Sequence, residues 1–331
     1  MRGVDLNRYA FDFDLTFGAL LMHADGHVYH RYGGRDHRSA SRWLSASSFE
    51  SLLEHTLGDH AEYQVPSVLA QRLPLRIETL PSFKKRDKGA CIHCHSVYPA
   101  FYEEQLAAGS WQRRDVWKHP SPLRIGLDLD RDDQRRIVQL RPGSQVAEAG
   151  LRVGDRLLAM NGTEVMTASD VMFELEQLPW KGGPLAFSWE RAGEQHQKAI
   201  PLAPGWKRGS PLEFSWRPSK WGLHPAPGFG GQQLSPEERL AADIPESADG
   251  DFALRVTYMV TWGENKRFGE AAGKAGLREG DVLYQVAGRR DFATPDHLHA
   301  WWRLTRKVGD EVELRLMRKG SGHLLLLKVI E

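Results

Sequence analysis

The sequence predicts a multidomain α+β protein, because it combines a repeated motif with short strand and helix patterns. Its 331 residues exceed the length of a typical single core and favour roughly two or three domains. A pattern of Ala-Gly-Leu, Gly-Asp and a closing Gly occurs twice, in AEAGLRVGDRLLAMNG and in AAGKAGLREGDVLYQVAG. Hydrophobic residues make up 41% of the chain, enough to fill several cores.

Residues 1–60 predict two strands followed by a helix. The run LTFGALLMHADGHVYHRYGG reads as a hairpin, since Asp-Gly between apolar runs favours a tight turn. SASSFESLLEHTL has a capping serine and leucines at helical spacing. This order resembles the C-terminal half of a thioredoxin-like α/β domain. The half that carries Cys-x-x-Cys in that family would precede Met1, and FDLT stands where the family has a cis-proline. We therefore expect a truncated start, or a segment that packs on its neighbours, without thiol–disulfide chemistry.

The two repeats, in residues 123–203 and 222–331, each predict a strand, a short helix, further strands and a second helix. The second helices are ASDVMFELEQL and PDHLHAWWRL. Both repeats resemble bacterial-type PDZ domains, which are partly open β-barrels with two helices. A linker or helical segment (61–122) precedes the first, and a linker rich in proline and tryptophan (204–221) precedes the second. The whole order resembles a bacterial family of thioredoxin-like and PDZ domain-containing (seleno)proteins.

A PDZ domain takes up an extended or C-terminal peptide as an added strand, beside a loop whose N–H groups receive a carboxylate. The resemblance implies a loop and a facing helix in each repeat. In the first repeat these residues are Ile125, Gly126, Leu127, Val171, Met172 and Leu175. In the second they are Phe229, Gly230, Gly231, His297, Leu298 and Trp301, and the insertion SPEERLAADIPESADGD is expected to cap the groove. The alternative is that the glycines only form turns and the apolar residues only fill cores.

The segment CIHCH holds Cys91, Cys94 and His95. Cys-x-x-Cys-His is the attachment sequence of c-type haem, in which the histidine ligates iron. With haem c as cofactor, His95 is one axial ligand and His119 the best candidate for the other, with Met160 weaker. Haem attachment would also imply a periplasmic or other extracytoplasmic protein. No signal peptide is visible, and a truncated N-terminus would explain its absence.

Three alternatives to haem stay open for these cysteines. Zinc would use them with His93 or His95 and His119, but a second ligand pair is not evident. Basic neighbours would favour a reactive dithiol, and ordinary loop cysteines complete the set. His23, His27 and His30 of the predicted hairpin are expected to be exposed polar residues rather than metal ligands.

Composition and motifs narrow the function. The formal net charge of +1 gives no field to attract nucleic acid, and no apolar run is long enough for a membrane span. Neither a Gly-x-Ser-x-Gly elbow nor a phosphate-binding loop is present. The sequence thus favours a non-hydrolytic scaffold that binds peptide segments of other proteins. The alternative is a redox protein whose PDZ domains select its partners.

Overall fold

The computed structural model describes residues 1–66, 73–84 and 92–331. They form two compact units, Met1–Gly209 and Ser210–Glu331, and the boundary falls inside the predicted linker at 204–221. Each unit contains both helices and antiparallel strands. The prediction of a multidomain α+β protein is therefore confirmed.

The first unit begins with a hairpin and ends with the first repeat. Its described elements are β1 (Gly18–Met22), β2 (Val28–Gly33), α1 (Ala46–Glu62), α2 (Pro81–Lys84), α3 (Val97–Ala107), β3 (Leu127–Leu129), β4 (Ile137–Leu140), α4 (Gln145–Glu148), β5 (Arg156–Met160), β6 (Thr163–Glu164), α5 (Ala168–Gln177), β7 (Gly183–Arg191) and β8 (Glu194–Leu202). Four short 3-10 helices occupy Ile77–Thr79, Cys94–Ser96, Arg113–Val116 and Pro122–Ile125. Among the described residues, none of the helices has both the length and the apolar character needed to cross a bilayer.

The N-terminal hairpin has the predicted strands and helix. Strands β1 and β2 pair antiparallel from Gly18 opposite Gly33 onward, and the Asp25 carboxylate accepts the His27 N–H across the turn at 2.8 Å. The two strands form a sheet of their own. A thioredoxin-like half would place them in a larger sheet, so this resemblance has no support in the topology.

Residues 73–84 and 92–107 are more than a linker. Buried side chains of α3 join those of the N-terminal residues in a small separate core, which contains Leu6, Phe13, Ile77, Val97 and Ala100. Helix α3 has Pro99 in its first turn, where proline costs no internal hydrogen bond. The segment before the first repeat is thus fixed by its own apolar contacts.

The second unit contains the second repeat. Its elements are α6 (Pro211–Phe214), a 3-10 helix (Pro218–Gly222), β9 (Phe229–Gln233), α7 (Pro236–Ala241), β10 (Leu254–Met259), α8 (Lys266–Lys274), β11 (Val282–Val286), α9 (Pro295–Thr305), β12 (Glu311–Arg318) and β13 (Ser321–Lys328). The strands form one antiparallel sheet in the order β13-β12-β11-β10-β9. The first unit divides its repeat between the pair β3-β4 and a sheet in the order β6-β5-β7-β8.

The two repeats share a polar contact as well as a sequence pattern. In the first, the Arg191 guanidinium donates to both oxygens of the buried Asp155 and to the glycine carbonyl of the Ala-Gly-Leu motif, each at 2.7 Å. In the second, Arg318 makes the same three contacts with Asp281 and its own motif glycine, at 2.6–2.8 Å. The Gly-Asp of the repeated pattern is therefore explained, because its aspartate fastens the strand arginine to the motif loop.

Candidate peptide-binding grooves

The predicted loop of the first repeat is a closed turn. The 3-10 helix Pro122–Ile125 ends at Gly126, whose φ of 88° is left-handed, and the Gly126 N–H donates to the Leu123 carbonyl at 3.0 Å. A Cβ at Gly126 would lie 2.4 Å from the Ser144 Cβ. Gly126 is thus required by the turn and by close packing, and its N–H is already used.

The remaining predicted residues of the first groove are brought together, but in a core. All of them are buried in a single apolar cluster, which includes Ile125, Leu127, Val171, Met172 and Leu175. Met160, the weaker candidate for haem ligation, is fully buried in the same cluster. The pocket that was expected to receive a peptide side chain is therefore filled by the core of the unit itself.

Part of the filling comes from a distant part of the chain, the cover segment (residues 34–45). Trp43 is fully buried and belongs to the same cluster as Leu127 and Met172. At the other end of the segment, a Cβ on Gly34 would lie 2.6 Å from the Met172 Cε. The cover segment therefore lies against α5, where a bound peptide was predicted.

Charged groups fasten the cover segment to β3. The buried Asp128 carboxylate pairs with Arg38 at 2.8 Å and with Arg42 at 3.0 Å. Arg42 also donates to the Leu129 carbonyl at 3.0 Å, and the Leu129 N–H donates to Asp128 at 3.1 Å. Burial raises the pKa of Asp128, but the two arginines outweigh it and the pKa lies below its ordinary value. The backbone edge of β3 at Leu129 is thus occupied by side chains of the same unit.

Strand β2 is attached to the first turn of α5 through Asp170. This buried carboxylate accepts the N–H groups of Arg31 at 2.8 Å, Met166 at 3.1 Å and Thr167 at 3.2 Å. It also contacts His30 Nδ1 at 3.2 Å. Thr167 and Asp170 form the capping box of α5, which was the only sequence signal for this attachment.

In the second repeat, the turn equivalent to Gly126 is at Gly228 rather than at the predicted Gly230 and Gly231. Gly228 has a φ of 81°. Its carbonyl accepts the Val260 N–H at 2.9 Å, as the Gly126 carbonyl accepts the Arg141 N–H at 2.8 Å. Phe229, Gly230 and Gly231 instead lie in β9, so the predicted carboxylate cradle is a strand.

The glycines of β9 are explained by close packing. A Cβ on Gly231 would lie 1.8 Å from the Arg255 carbonyl oxygen, and one on Gly230 would lie 2.2 Å from the Tyr258 hydroxyl. Phe229 is buried, with its ring 6.3 Å from that of Trp302. The inner side of β9 is therefore closed by the unit itself.

The outer edge of β9 is different. β9 is the last strand of the sheet, and Leu234 donates to the Ala253 carbonyl at 2.9 Å. Because inward and outward backbone groups alternate along a strand, those of Gly231 and Gln233 point away from β10. Within the described part of the chain, these outward groups have no hydrogen-bond partner. β9 is thus an open strand edge, the feature to which an extended peptide adds.

The predicted helix residues of the second repeat, His297, Leu298 and Trp301, are all buried. Leu298 and Trp301 belong to the core of the unit. The His297 Nδ1 accepts the Ala293 N–H at 3.1 Å, which places this side chain in the turn before α9. All three side chains are therefore packed inside the unit.

The segment before the repeat (residues 211–223) packs against another side of α9. The Trp221 ring lies 5.0 Å from the buried His299 ring, Lys220 pairs with Asp296 at 3.2 Å, and Arg303 donates to the Leu223 carbonyl. Burial, with Arg303 and Lys220 adding to it, lowers the pKa of His299 to about 3. This segment is therefore held on α9, as its aromatic composition predicts.

The insertion after β9 has structure of its own. It forms α7 and an open cavity of about 580 Å³. The cavity is lined by the insertion and by Arg290, which donates to the Pro245 carbonyl at 2.7 Å. The cavity lining includes no residue of β9 or α9, and the insertion packs through Ala242 and Ile244 against Leu234, Ala253 and Val282.

The predicted haem site lies partly outside the described residues, because Cys91 is not among them. Cys94 packs beside the small N-terminal core. The His95 Nε2 lies 3.0 Å from the Leu15 carbonyl, to which it donates, so this nitrogen is used by the backbone. His119 is buried, and its backbone N–H donates to the Glu176 carboxylate at 3.0 Å.

One group of side chains with metal-ligand chemistry occurs among the described residues, and the sequence did not indicate it. It consists of His30, His55, Asp59 and Glu164, whose candidate ligand atoms all lie within 4.8 Å of one another. His30 belongs to the hairpin for which no metal site was expected. The i,i+4 spacing of His55 and Asp59 on α1 was the available signal.

Comparison with known proteins gives local similarity. No family model matches the chain. It is 38% identical over 68 residues to a protein of Agrobacterium fabrum named as a zinc metalloprotease, covering 20% of this chain and 17% of that protein. It is also 38% identical over 68 residues to a protein of Synechocystis named as the serine protease HhoB, covering 20% of this chain and 16% of that protein. The chain thus spans less than a fifth of either relative.

Among solved structures, the HtrA-type protease AlgW with decapeptide is 14% identical over 59% of this chain and 54% of that chain, with a TM-score of 0.27. A TM-score of this size does not establish a shared fold. The similarities to proteases are therefore partial.

Proposed function

We propose that this protein is a peptide-binding scaffold, and that β9 of the second unit receives an extended peptide from another protein as an added strand. The observation that carries the proposal is the open edge of β9, whose outward backbone groups at Gly231 and Gln233 have no partner in the described chain. An incoming strand would satisfy these groups by hydrogen bonds. This is the mode that the resemblance to PDZ domains implies.

The first unit supports the same proposal in a second way. Its equivalent strand, β3, is covered by residues 34–45 of the same unit, which use Arg42 to reach the Leu129 carbonyl. The surface that this segment occupies combines apolar contacts with a backbone edge. We propose that this repeat holds its own chain where the second repeat holds a partner.

The test uses the full-length protein. Peptides are selected from a random displayed library, and their affinities are then measured by isothermal titration calorimetry. Amide exchange of the complex is followed by NMR. Bound peptide is expected to slow exchange at Gly231 and Gln233, whereas Leu234, already bonded to Ala253, is expected to change little.

The matched variants are Gln233→Pro and Gln233→Ala. Proline removes an outward N–H that the sheet does not use, so the edge strand should tolerate it. We expect Gln233→Pro to weaken binding about tenfold, equivalent to about 1.4 kcal/mol, and Gln233→Ala to bind normally. Peptides that bind without protecting Gly231, or that bind Gln233→Pro at full affinity, would contradict strand addition at β9.

A further inference from the structure

The group formed by His30, His55, Asp59 and Glu164 joins three elements of the first unit. His30 lies on β2 and is 3% exposed. His55 and Asp59 lie one turn apart on the same face of α1, and Glu164 ends β6. Asp59 and Glu164 are partly open to solvent, with side-chain exposures of 33% and 46%. An ion therefore has a route to the four side chains.

The spacing of the ligand atoms matches a four-coordinate site. Asp59 Oδ2 lies 3.2 Å from His30 Nε2 and 3.6 Å from His55 Nε2, and Glu164 Oε1 lies 3.1 Å from His55 Nε2. Ligands about 2.0–2.2 Å from a tetrahedral zinc ion lie about 3.3–3.6 Å from one another. Small side-chain adjustments are enough to place one ion between them.

Asp170 sets the orientation and the tautomer of His30. Because this carboxylate accepts three backbone N–H groups, it is an acceptor toward His30, and Nδ1 carries the proton. The lone pair of Nε2 then faces Asp59 at 3.2 Å, an arrangement that needs either a proton or a cation between them. A histidine whose second nitrogen is bonded to a carboxylate is the usual arrangement around protein-bound zinc.

The charge around the group also favours a divalent cation. Asp59, Glu164 and Asp170 are three carboxylates, whereas two guanidinium groups act on them: Arg135 lies 3.9 Å from Glu164 Oε1, and Arg31 interacts with Asp170. With both histidines neutral, a net negative charge is left over. Two imidazoles among the ligands favour zinc or another first-row transition metal over magnesium or calcium.

We propose that His30, His55, Asp59 and Glu164 bind one divalent transition-metal ion, with zinc the best match. The ion would also hold the cover segment in place, because His30 on β2 precedes residues 34–45 and His55 on α1 follows them. Glu164 belongs to the repeat that the segment covers. Metal binding would thus fix both ends of the segment that occupies the first groove.

The test uses full-length protein that has been stripped with a chelator and then titrated with Zn²⁺ or Co²⁺. We expect one ion per chain by calorimetry, and the visible bands of four-coordinate cobalt with nitrogen and oxygen ligands. Asp59→Asn and His55→Gln should each weaken binding at least about tenfold. His60→Gln, a change of an exposed histidine on the same helix, is the matched control and should bind normally.

Two results would overturn the site. One is a stripped protein that takes up no stoichiometric metal. The other is binding that survives both Asp59→Asn and His55→Gln, or that shows the thiolate charge-transfer band expected from Cys91 and Cys94. Circular dichroism of each variant identifies any that fails to fold, and the other ligand variant then decides.

The effect on the cover segment is read separately by amide exchange. Zinc should slow exchange throughout residues 34–45 in the parent protein and leave it unchanged in Asp59→Asn. If zinc binds with the expected stoichiometry but exchange in this segment does not change, the role in holding the cover is overturned.

Discussion

The two repeats have the same turn, the same strand and the same arginine–aspartate contact, yet the outer edges of their equivalent strands differ. In the first unit, the Leu129 carbonyl of β3 accepts a hydrogen bond from Arg42, and the Leu129 N–H donates to Asp128. In the second, the outward groups of Gly231 and Gln233 on β9 have no partner among the described residues. Two repeats of one sequence pattern therefore differ at the outer edges of their equivalent strands.

The difference comes from the segment that precedes each repeat. Residues 34–45 reach across to β3 and α5 from far along the chain, whereas residues 211–223 pack against α9 and add no strand beside β9. The groove residues within each repeat do not determine whether the strand edge is free. The contacts made by the preceding segment determine it, and variants at those contacts test this difference between the two repeats.

The largest expected effect is at Trp43. This side chain is fully buried among the residues of the predicted groove, so Trp43→Ala should lower the free energy of unfolding of the first unit by about 3–5 kcal/mol. Urea unfolding followed by circular dichroism measures the loss. Trp43→Phe keeps most of the apolar contact and should cost less than about 1.5 kcal/mol.

The matched control is Trp262→Ala in the second unit. Trp262 is 58% exposed, and its removal should change the free energy of unfolding by less than about 0.5 kcal/mol. If Trp43→Ala were equally harmless, the cover segment would be a loosely held surface strand. The outer edge of β3 would then be as accessible as that of β9.

A smaller, pH-dependent effect is expected from His299. Its pKa is lowered to about 3 in the folded protein by burial, Arg303 and Lys220, whereas in the unfolded chain it is about 6.5. The unfolded state therefore binds the extra proton as the pH falls. Stability is fully present above about pH 6.5 and decreases below it by about 1.4 kcal/mol per pH unit.

The measurement is the free energy of unfolding of the second unit as a function of pH, in the parent protein and in His299→Leu. The variant should lose this part of the slope. His323→Leu, at an exposed position of β13, should keep it. Since burial also lowers the pKa of His224, the difference between parent and variant is the decisive quantity, and equal slopes would contradict the assignment.

The pH dependence of stability expected from His30 in the first unit has the opposite sign. Burial lowers its pKa, but the bonds to Asp170 and Asp59 outweigh it, with Glu164 adding to them, and the net pKa is raised. In metal-free protein its stabilising contribution is present at low pH and is lost as the pH rises through the folded-state value. A bound zinc ion would replace the proton and should be most stabilising above that value.

Local patterns explain what could be predicted from the sequence. The Asp-Gly turn, the amphipathic helix α1 and the repeated Gly-Asp pattern each act over a few residues, and the structure contains the corresponding elements. The shift from Gly230 to Gly228 shows the limit. A glycine at either position is compatible with a turn. Only the structure shows that Gly228 has the positive φ and that Gly230 pairs with β10 as part of β9.

Contacts between distant residues could not be predicted. Trp43 shares an apolar cluster with Leu127, Arg42 pairs with Asp128, which is 86 positions away, and Ser47 shares a hydrogen bond with Asp132, which is 85 positions away. His30 and Glu164 belong to different predicted domains. Each of these residues has an ordinary local explanation, as a surface tryptophan, a strand aspartate or a hairpin histidine. Their shared position depends on how the hairpin packs on the repeat, for which the sequence contained only the capping box of α5.

The smallest effect tests what the repeats share. Arg191 and Arg318 make the same contacts with a buried aspartate and a motif glycine, and both arginine side chains are partly exposed to solvent. Lysine cannot reproduce the forked contact, so Arg191→Lys and Arg318→Lys should each lower the melting temperature of their own unit by less than about 4 °C. Calorimetry measures both, with the first unit's transition assigned by its shift in Trp43→Ala. A large loss in only one unit would show that this contact has different weights in the two repeats, and that they differ in their cores as well as in their strand edges.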